Sequence, residues 1–422
     1  MHEEISRILV ENEARLIYAT NGAVEKGLDS LRKEFRSFHY EFSTNEKIAY
    51  ELALAGSYAS KRTVCLISSE GPYEALDPLM SSAYTGVVGG FLVVCVQEND
   101  AEATPLGPFA KLPFIVTDSI DAFRLAVPYG YEISERYQTP VIIQVNPDVN
   151  EGRRTRDEGH NGSTPGLESG TSHLSPLTSH LISARFIKNP NRWAATPKFR
   201  YQLHRELNEK IEKIRKEFEG YEGNHVTVKT KTGVITDHVS RLEFYDEDGS
   251  ILKLATVYPL PDKLVRDFID QMDVVFVEET YPVIELQIAD RSKVHANKIR
   301  ASHERKKPEE TMYGMQVVRD KLGSASSINM AHGIKKLDPG KRVLAITYED
   351  FFFHSGMPAF VNTLYNNSSY VLLIMTNKRE DELKGVLKGF GFENYHHLDN
   401  ASEIEKFKDA STLTVLFCRG II

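Results

Sequence analysis

Apolar runs alternate with amphipathic segments through the first 150 residues of the chain. The runs TVCLISS, GGFLVVCVQ and PVIIQV are almost wholly apolar, and helical spacing marks segments such as NEKIAYELALAGSYA and DAFRLAVPYGYEISERY between them. Fully apolar strands joined by helices are typical of a parallel sheet that is covered on both faces. The pattern predicts a doubly wound α/β unit over residues 1–150.

The composition changes abruptly over residues 151–182, which are rich in Gly, Ser, Thr and Pro. Such a segment buries too little apolar surface to order itself, and we interpret it as a flexible linker. A second, smaller α/β unit is predicted over residues 183–290. It begins with an amphipathic helix whose apolar residues recur at helical spacing: Leu203, Leu207, Ile211, Ile214 and Phe218.

A charged stretch, residues 291–330, is predicted to be a connector with a solvated face. Beyond it, the segments KRVLAITYED, YVLLIMTN and TLTVLFCR predict strands, with helical patterns between them. These predict a third α/β unit over residues 331–422, short for a doubly wound domain. The expected fold class is therefore α/β, with three doubly wound units of which the last is truncated.

Bulk composition narrows the functional class. The 422 residues are 41% hydrophobic and carry a formal net charge of −8, which argues against a nucleic-acid-binding surface. No apolar run approaches the roughly 20 residues of a membrane helix, and the acidic amphipathic N-terminus lacks the apolar core of a signal peptide. We therefore expect a cytoplasmic protein without a membrane partner. Its cysteines, Cys65, Cys95 and Cys418, lie in separate apolar segments and are expected to be buried thiols.

Glu46 is the first candidate for chemistry, because it starts a helical pattern directly after the strand-like FHYEF. One interpretation is an ordinary helix-start acid, with Ser43, Thr44 or Asn45 as the N-cap. The other is a carboxylate positioned to act on a ligand. Local sequence leaves both open.

Three further sets of residues carry possible chemistry. Glu278 and Glu279 end a strand-like segment and could form an acid/base pair or a hydrogen-bonded edge. His396 and His397 could bind a metal, although adjacent residues on a strand point to opposite faces. His354 is either a proton-transfer group or a histidine that is satisfied within the core.

Several stretches resemble, in the same order, the α subunit of indolepyruvate ferredoxin oxidoreductase, a family of thiamine-diphosphate-dependent 2-oxoacid oxidoreductases. They are STNEKIAYELALAGSYASKR, DPLMSSAYTGVVGGFLVV, FAKLPF, FIKNPNRW, VKTKTGVIT, YPLPDKLVRDF, VFVEET and FFHSGMPAFVNTLYN. The resemblance covers most of residues 15–375. It implies transketolase-like units in the order pyrimidine-binding, transketolase-C-like and, in reduced form, diphosphate-binding.

The resemblance implies a role for five residues. Glu46 matches the glutamate that contacts the aminopyrimidine of thiamine diphosphate, where a dry carboxylate promotes proton transfer. At the diphosphate end, Glu349 and Asp350 match an Asp-Ser pair and Asn377 matches an asparagine, which together hold Mg²⁺ in the family. His354 is implied to lie close to the cofactor. Tyr348 stands where the family has a glycine.

Other segments depart from the family. The loop that faces the substrate carboxylate is replaced by YATNGAVE, residues 18–25, and a longer segment is shortened to residues 97–113. The front half of the diphosphate domain is missing or reduced to MYGMQVVRDKLGSASSINMAHGIKK, and the family's cysteine-rich carboxy-terminal segment is absent. Three dispersed cysteines cannot hold a four-cysteine iron–sulfur cluster, so we expect no cluster from this chain. A redox role would then need a β/γ-type partner subunit, and the resemblance implies self-association through the pyrimidine unit.

Three functions remain open at this point. The chain is a divergent α-type subunit that oxidatively decarboxylates a 2-oxoacid with its partner, or a non-redox 2-oxoacid decarboxylase. Alternatively it is a catalytically degenerate scaffold or binding subunit of a larger complex, since loop losses remove function before they remove a fold.

Overall fold

The computed structural model describes residues 2–20, 25–35, 37–97, 102–146, 185–193, 197–238, 249–296 and 311–419. The chain forms two compact units, Met1–Ile299 and Arg300–Ile422. Helices flank three mostly parallel sheets of seven, five and six strands. The predicted α/β class with three sheets is confirmed. The predicted linker, residues 151–182, lies outside the described residues.

The first region of the first unit alternates strands and helices along the chain. Its elements are α1 (His2–Glu11), β1 (Leu16–Ala19), α2 (Glu25–Glu34), β2 (His39–Phe42), α3 (Glu46–Tyr58), β3 (Thr63–Ser68), α4 (Gly71–Glu74), α5 (Leu76–Thr85), β4 (Phe91–Val96), α6 (Leu106–Ala110), β5 (Phe114–Thr117), α7 (Ile120–Tyr137) and β6 (Val141–Val145).

The second region of this unit is smaller. Its elements are α8 (Pro190–Trp193), α9 (Pro197–Phe218), β7 (His225–Thr227), β8 (Thr232–Thr236), β9 (Ser250–Lys253), β10 (Thr256–Tyr258), α10 (Asp262–Asp270), β11 (Val274–Glu278), α11 (Val283–Gln287) and β12 (Val294–Ala296). The amphipathic helix predicted here is confirmed as α9, because the five apolar residues of its predicted stripe are at most 4% exposed.

The second region contributes strands to both sheets of the first unit. The seven-stranded sheet has the order β10-β5-β6-β4-β3-β1-β2, and its strands are parallel except for β10, which pairs antiparallel with β5. The five-stranded sheet has the order β12-β11-β8-β9-β7, with β7 antiparallel to β9. The second region thus supplies an edge strand to the first sheet.

Burial on both faces explains the continuous apolar runs. Along β3, Val64 and Leu66 pack in one apolar cluster, whereas Cys65 and Ile67 pack in another on the opposite side of the sheet. Successive side chains of a strand point to opposite faces, so a strand covered on both sides needs apolar residues at every position.

The second unit contains a single six-stranded sheet. Its elements are β13 (Thr311–Met312), β14 (Met315–Arg319), α12 (Ser326–Leu337), β15 (Val343–Tyr348), α13 (Glu349–Phe351), a π-helical turn (Phe352–Gly356), α14 (Met357–Tyr365), β16 (Val371–Thr376), α15 (Glu380–Gly389), β17 (Tyr395–Leu398), a 3₁₀ helix (Ala401–Phe407) and β18 (Thr414–Arg419).

The strand order of this third sheet is β13-β14-β15-β16-β18-β17, and only the β13–β14 pair is antiparallel. Strands β13 and β14 lie within residues 291–330, the predicted connector, and β14 pairs with β15 along its length. The domain bounds predicted from the sequence stay predictions. In the structure, β13 and β14 belong to the third sheet.

Two features bear on the cellular setting. Among the described residues, no helix is both long and apolar enough to cross a membrane. Cys65, Cys95 and Cys418 are all buried and form no disulfide. Burial raises the pKa of the Cys65 and Cys95 thiols, which keeps both protonated and unreactive at neutral pH.

Candidate functional site

The first sheet reverses its winding direction at β1. From β1 the chain runs to β2 on one side, and from β2 it returns past β1 to form β3 on the other side. Helices α2 and α3 accordingly pack in different apolar clusters on opposite faces. In open α/β sheets, ligands bind in the crevice outside the carboxyl ends of the strands at such a switch point. The crevice beside the end of β1 is therefore the candidate site.

Glu46 lies at this crevice. Its side chain is buried, with the residue 8% exposed, and Thr20 Oγ1 donates a hydrogen bond to its Oε1 at 3.2 Å. The helix is capped by a different residue, because Asn45 Oδ1 accepts the Ile48 N–H at 2.9 Å. Glu46 is consequently a buried carboxylate at the end of β1, and the N-cap among the three candidates is Asn45.

Gly71 makes room for this carboxylate. A Cβ atom at position 71 would lie 2.8 Å from Glu46 Cγ and 2.9 Å from Ile67 Cβ, closer than carbon atoms approach without displacement. Only a glycine allows the first residue of α4 to lie this close to Glu46. Sequence reasoning missed Gly71 and Thr20, although Thr20 directly follows β1 and Gly71 is the third residue after the end of β3.

Hydroxyl groups end the strands around the crevice. Ser43 follows β2, Thr20 follows β1, and Ser69 follows β3. The buried Oγ atoms of Ser43 and Ser69 have no hydrogen-bond partner within the described ranges. Buried polar atoms normally have partners, and orphaned ones call for a group that supplies the missing bond. This edge therefore fits a polar, hydrogen-bonding ligand such as an aminopyrimidine.

The other four predicted site residues lie in the second unit, at the carboxyl edge of its sheet. Glu349 follows β15 and is 6% exposed. Its Oε2 accepts the backbone N–H groups of Asn377 at 2.9 Å and Arg379 at 3.1 Å, and its Oε1 accepts that of Lys378 at 3.3 Å. The structure thus brings Glu349 and Asn377 together, but through the backbone of Asn377.

An arginine and an aromatic ring lie close to this contact. The Arg379 guanidinium lies 3.7 Å from the centroid of the Phe353 ring, and its Nη1 is 3.9 Å from Asp350 Oδ1. The Asp350 side chain is 81% exposed, and Tyr348 is half exposed. An arginine therefore lies next to the acid that the resemblance assigns to Mg²⁺.

His354 lies in the π-helical turn and its Nδ1 is hydrogen-bonded to Ser355 Oγ. The neighbouring residue thus satisfies one ring nitrogen. A π-helical turn frequently marks a functional position, so its cofactor role stays a prediction.

The second-unit residues do not fit a magnesium-diphosphate site in this arrangement. Both oxygens of Glu349 already accept backbone hydrogen bonds, Asp350 points to solvent, and the guanidinium beside Asp350 is that of Arg379, which pairs with Glu382. Mg²⁺ requires several oxygen ligands at short distance in octahedral geometry. The metal role of Glu349, Asp350 and Asn377 stays a prediction that this geometry does not favour.

The remaining candidates are hydrogen-bonded within the protein. The Glu279 carboxylate accepts the backbone N–H groups of Val283, Ile284 and Glu285, at the start of α11. Burial raises its pKa to about 7, with a further rise from Asp237, and these hydrogen bonds moderate the shift. This geometry is that of the hydrogen-bonded edge rather than of an acid/base pair.

The two adjacent histidines have separate neighbours. His397 Nδ1 is 3.0 Å from Glu380, whereas His396 Nε2 is 3.3 Å from Asn394 Oδ1. In the part of the chain that the structure describes, no group of three or more His, Cys, Asp or Glu residues is arranged to hold a metal ion.

Comparison with known proteins bears on these assignments. The chain is 25% identical to indolepyruvate oxidoreductase subunit IorA from Pyrococcus abyssi, in an alignment that covers 80% of this chain and 67% of the relative. It is 23% identical to the Archaeoglobus fulgidus subunit of the same name, with 81% and 67% covered. The resemblance predicted from the sequence is confirmed. The IorA subunit from Pyrococcus horikoshii is 29% identical, over 59% of this chain and 40% of that protein.

No family model matches the chain. Among solved structures, it is similar to a 2-oxoglutarate:ferredoxin oxidoreductase from Magnetococcus marinus, with a TM-score of 0.48 and 13% identity over 70% of this chain and 61% of the other. The chain thus spans about two thirds of the IorA subunits that it matches most fully.

Proposed function

We propose that this chain is a divergent α-type subunit of a 2-oxoacid oxidoreductase complex of the indolepyruvate type, and that its first sheet binds the aminopyrimidine of thiamine diphosphate. The observation that carries the proposal is the burial of Glu46 at the β1 switch point, with the Thr20 hydroxyl on its Oε1. The names of the relatives support the reaction class, and the crevice supports the ligand.

When bound, thiamine diphosphate would supply a nucleophilic carbon for reaction at the carbonyl group of a 2-oxoacid. The task of this chain is to hold a ring nitrogen of the pyrimidine against Glu46, whose carboxylate forms a strong hydrogen bond there because water is excluded. Thr20 orients the carboxylate, and Gly71 lets the start of α4 pack beside it. Ser43 and Ser69 offer two further hydroxyl groups to a polar ligand.

Electron transfer in this proposal depends on a partner. In this proposal, a β/γ-type partner subunit supplies the iron–sulfur clusters that accept electrons, because a four-cysteine cluster needs more cysteines than the three of the given sequence, which lie buried in separate strands. Self-association through the first unit and a cytoplasmic location complete the proposal.

A second function is favoured by the contacts of Glu349. Because its carboxylate is engaged by three backbone amides, the second unit has lost the arrangement expected of a metal-diphosphate site. A chain with this defect would serve as a scaffold or binding subunit that keeps the fold of an oxidoreductase.

Cofactor content tests the two proposals. The natively purified complex is denatured, and released thiamine diphosphate is oxidised to fluorescent thiochrome. Near-stoichiometric cofactor that falls at least ~10-fold in Glu46→Gln, as expected for loss of a charged hydrogen bond, supports the enzyme proposal. Glu51→Gln is the matched control, because Glu51 lies on the same helix but is exposed and pairs with Lys47.

Absence of cofactor, even after incubation with excess thiamine diphosphate and Mg²⁺, contradicts the enzyme proposal and favours the scaffold. If cofactor is present, carbon dioxide release from 2-oxoacids with and without an electron acceptor separates oxidative from non-redox decarboxylation.

A further inference from the structure

The contact between Glu349 and the segment after β16 has the geometry of an anion site. Strands β15 and β16 are parallel neighbours, with Tyr348 paired to Met375, so Glu349 and Asn377 both lie just beyond the carboxyl ends of adjacent strands. Three consecutive backbone N–H groups, of residues 377–379, converge on the Glu349 carboxylate. Successive N–H groups that face one point form a nest, which binds anions.

In this chain the anion in the nest is a side chain of the protein. We propose that Glu349 is an internal substitute for a bound anion, and that it closes the nest of residues 377–379 to phosphate groups and withholds its own oxygens from magnesium. The inference goes beyond the proposed function of the first unit, because it concerns different residues and does not depend on Glu46.

Burial and charge support this assignment. Glu349 is 6% exposed, and a desolvated carboxylate is stable only where hydrogen-bond donors or cations compensate its charge. The three amides provide that compensation at 2.9–3.3 Å. A carboxylate has about four lone-pair sites, and three of those of Glu349 accept these N–H groups, which leaves little of the carboxylate for a metal ion.

The neighbouring acid shows the contrast. Asp350 adjoins Glu349 in sequence, yet its side chain is 81% exposed and its nearest cationic contact is Arg379, at 3.9 Å. Asp350 therefore makes a matched control: it is an acid at the same turn, outside the nest.

Removal of the carboxylate is the test. Thermal unfolding of the full chain is followed for the unmodified protein, Glu349→Ala and Asp350→Ala, each with and without millimolar inorganic pyrophosphate and, separately, Mg²⁺ alone. We expect pyrophosphate to raise the Tm of Glu349→Ala by about 3–5 °C, because it fills the vacated nest, and to leave the other two proteins unchanged.

Two outcomes overturn the inference. If Mg²⁺ raises the Tm of the unmodified protein and not that of Glu349→Ala, Glu349 is a metal ligand. If pyrophosphate stabilises none of the three proteins, or all three equally, the amides are not an anion site that Glu349 closes. Thiamine diphosphate content of the complex, which tests Glu46, plays no part in this readout.

Hydrogen exchange keeps the test decisive if Glu349→Ala fails to fold. In the unmodified protein, the amides of residues 377–379 are expected to stay protected, with no change on addition of Mg²⁺ and pyrophosphate. A change in the protection of these amides at saturating Mg²⁺ and pyrophosphate contradicts internal closure by Glu349.

Discussion

Glu46 and Glu349 occupy equivalent places in two different sheets. Each begins a helix at the carboxyl edge of parallel strands, and each is buried, with 8% and 6% of the residue exposed. Their partners differ, since Glu46 accepts from the Thr20 hydroxyl whereas Glu349 accepts from three consecutive backbone amides. Burial alone therefore does not distinguish an acid that serves a ligand from one that holds the protein together.

The largest effect is expected from Glu349→Ala. Loss of the carboxylate leaves three backbone donors at the edge of the third sheet without their partner, and we expect the free energy of unfolding to fall by about 2–4 kcal/mol. Urea unfolding followed by far-UV circular dichroism measures the change. Asp350→Ala should alter stability by less than about 0.5 kcal/mol, because exposed positions contribute little. Equal losses in the two variants would show that Glu349 has no special structural role.

A smaller effect is expected at the site of Glu46. Gly71→Ala places a Cβ atom 2.8 Å from Glu46 Cγ, so the carboxylate must move. We expect a loss of about 1–3 kcal/mol in unfolding free energy, together with weaker thiamine diphosphate binding. Gly385→Ala is the matched control, because no atom lies within 4 Å of a Cβ built there. Gly385→Ala should stabilise α15 slightly. Unchanged cofactor binding in Gly71→Ala would contradict the proposal that Gly71 makes room for Glu46.

Glu279 provides a third acid for the comparison. It accepts three backbone N–H groups, as Glu349 does. Burial raises its pKa from an ordinary 4.5 to about 7. The folded protein then binds a proton more tightly than the unfolded chain does, so this group lowers stability progressively as pH rises from about 4.5 to 7 and by its full amount above that. A shift of this size corresponds to at most about 3 kcal/mol.

Urea unfolding at several pH values checks the sign. Glu279→Gln should flatten the stability profile between about pH 4.5 and 7 relative to the unmodified protein, because it removes the titrating group. A profile that is unaltered by the substitution would contradict the raised pKa.

The smallest stability change is expected from Glu46→Gln. The amide keeps an oxygen that accepts from Thr20, so unfolding free energy should change by less than about 1 kcal/mol while cofactor binding falls. Urea unfolding and thiochrome measurement on one preparation give both values. A stability loss as large as that of Glu349→Ala would show that Glu46, like Glu349, mainly stabilises the fold. The proposed difference between the two acids would then be wrong.

The sequence predicted the fold where local periodicity is strong. Strands β3, β4 and β6 and helix α9 carry apolar patterns of the expected period, and all four are found. Strand β10 has three residues and joins the first sheet from the following region, so no local pattern indicates its pairing. Strand β14 lies within the predicted connector, and its place in the third sheet likewise depends on its pairing with β15.

The candidate site divides in the same way. The sequence predicts that Glu46 lies at a helix start. Its contacts with Thr20 and Gly71, however, require β1 and β3 to be neighbours. The contact of Glu349 with the amides after β16 depends equally on the adjacency of β15 and β16. Contacts that arise from strand adjacency cannot be obtained from local patterns, so the backbone hydrogen bonds of Glu349 were not predicted from the sequence.

The antiparallel edge strand has a consequence for synthesis of the chain. Strand β5 leaves the ribosome long before β10, its outer neighbour in the seven-stranded sheet. At the usual translation rate of about 5–20 residues per second, the outer edge of β5 therefore waits several seconds with its backbone groups unpaired. An unpaired edge is open to pairing with another nascent chain. Translation arrested just before β10 should accordingly yield aggregation-prone intermediates. Chaperone binding to the nascent chain should fall once that strand emerges.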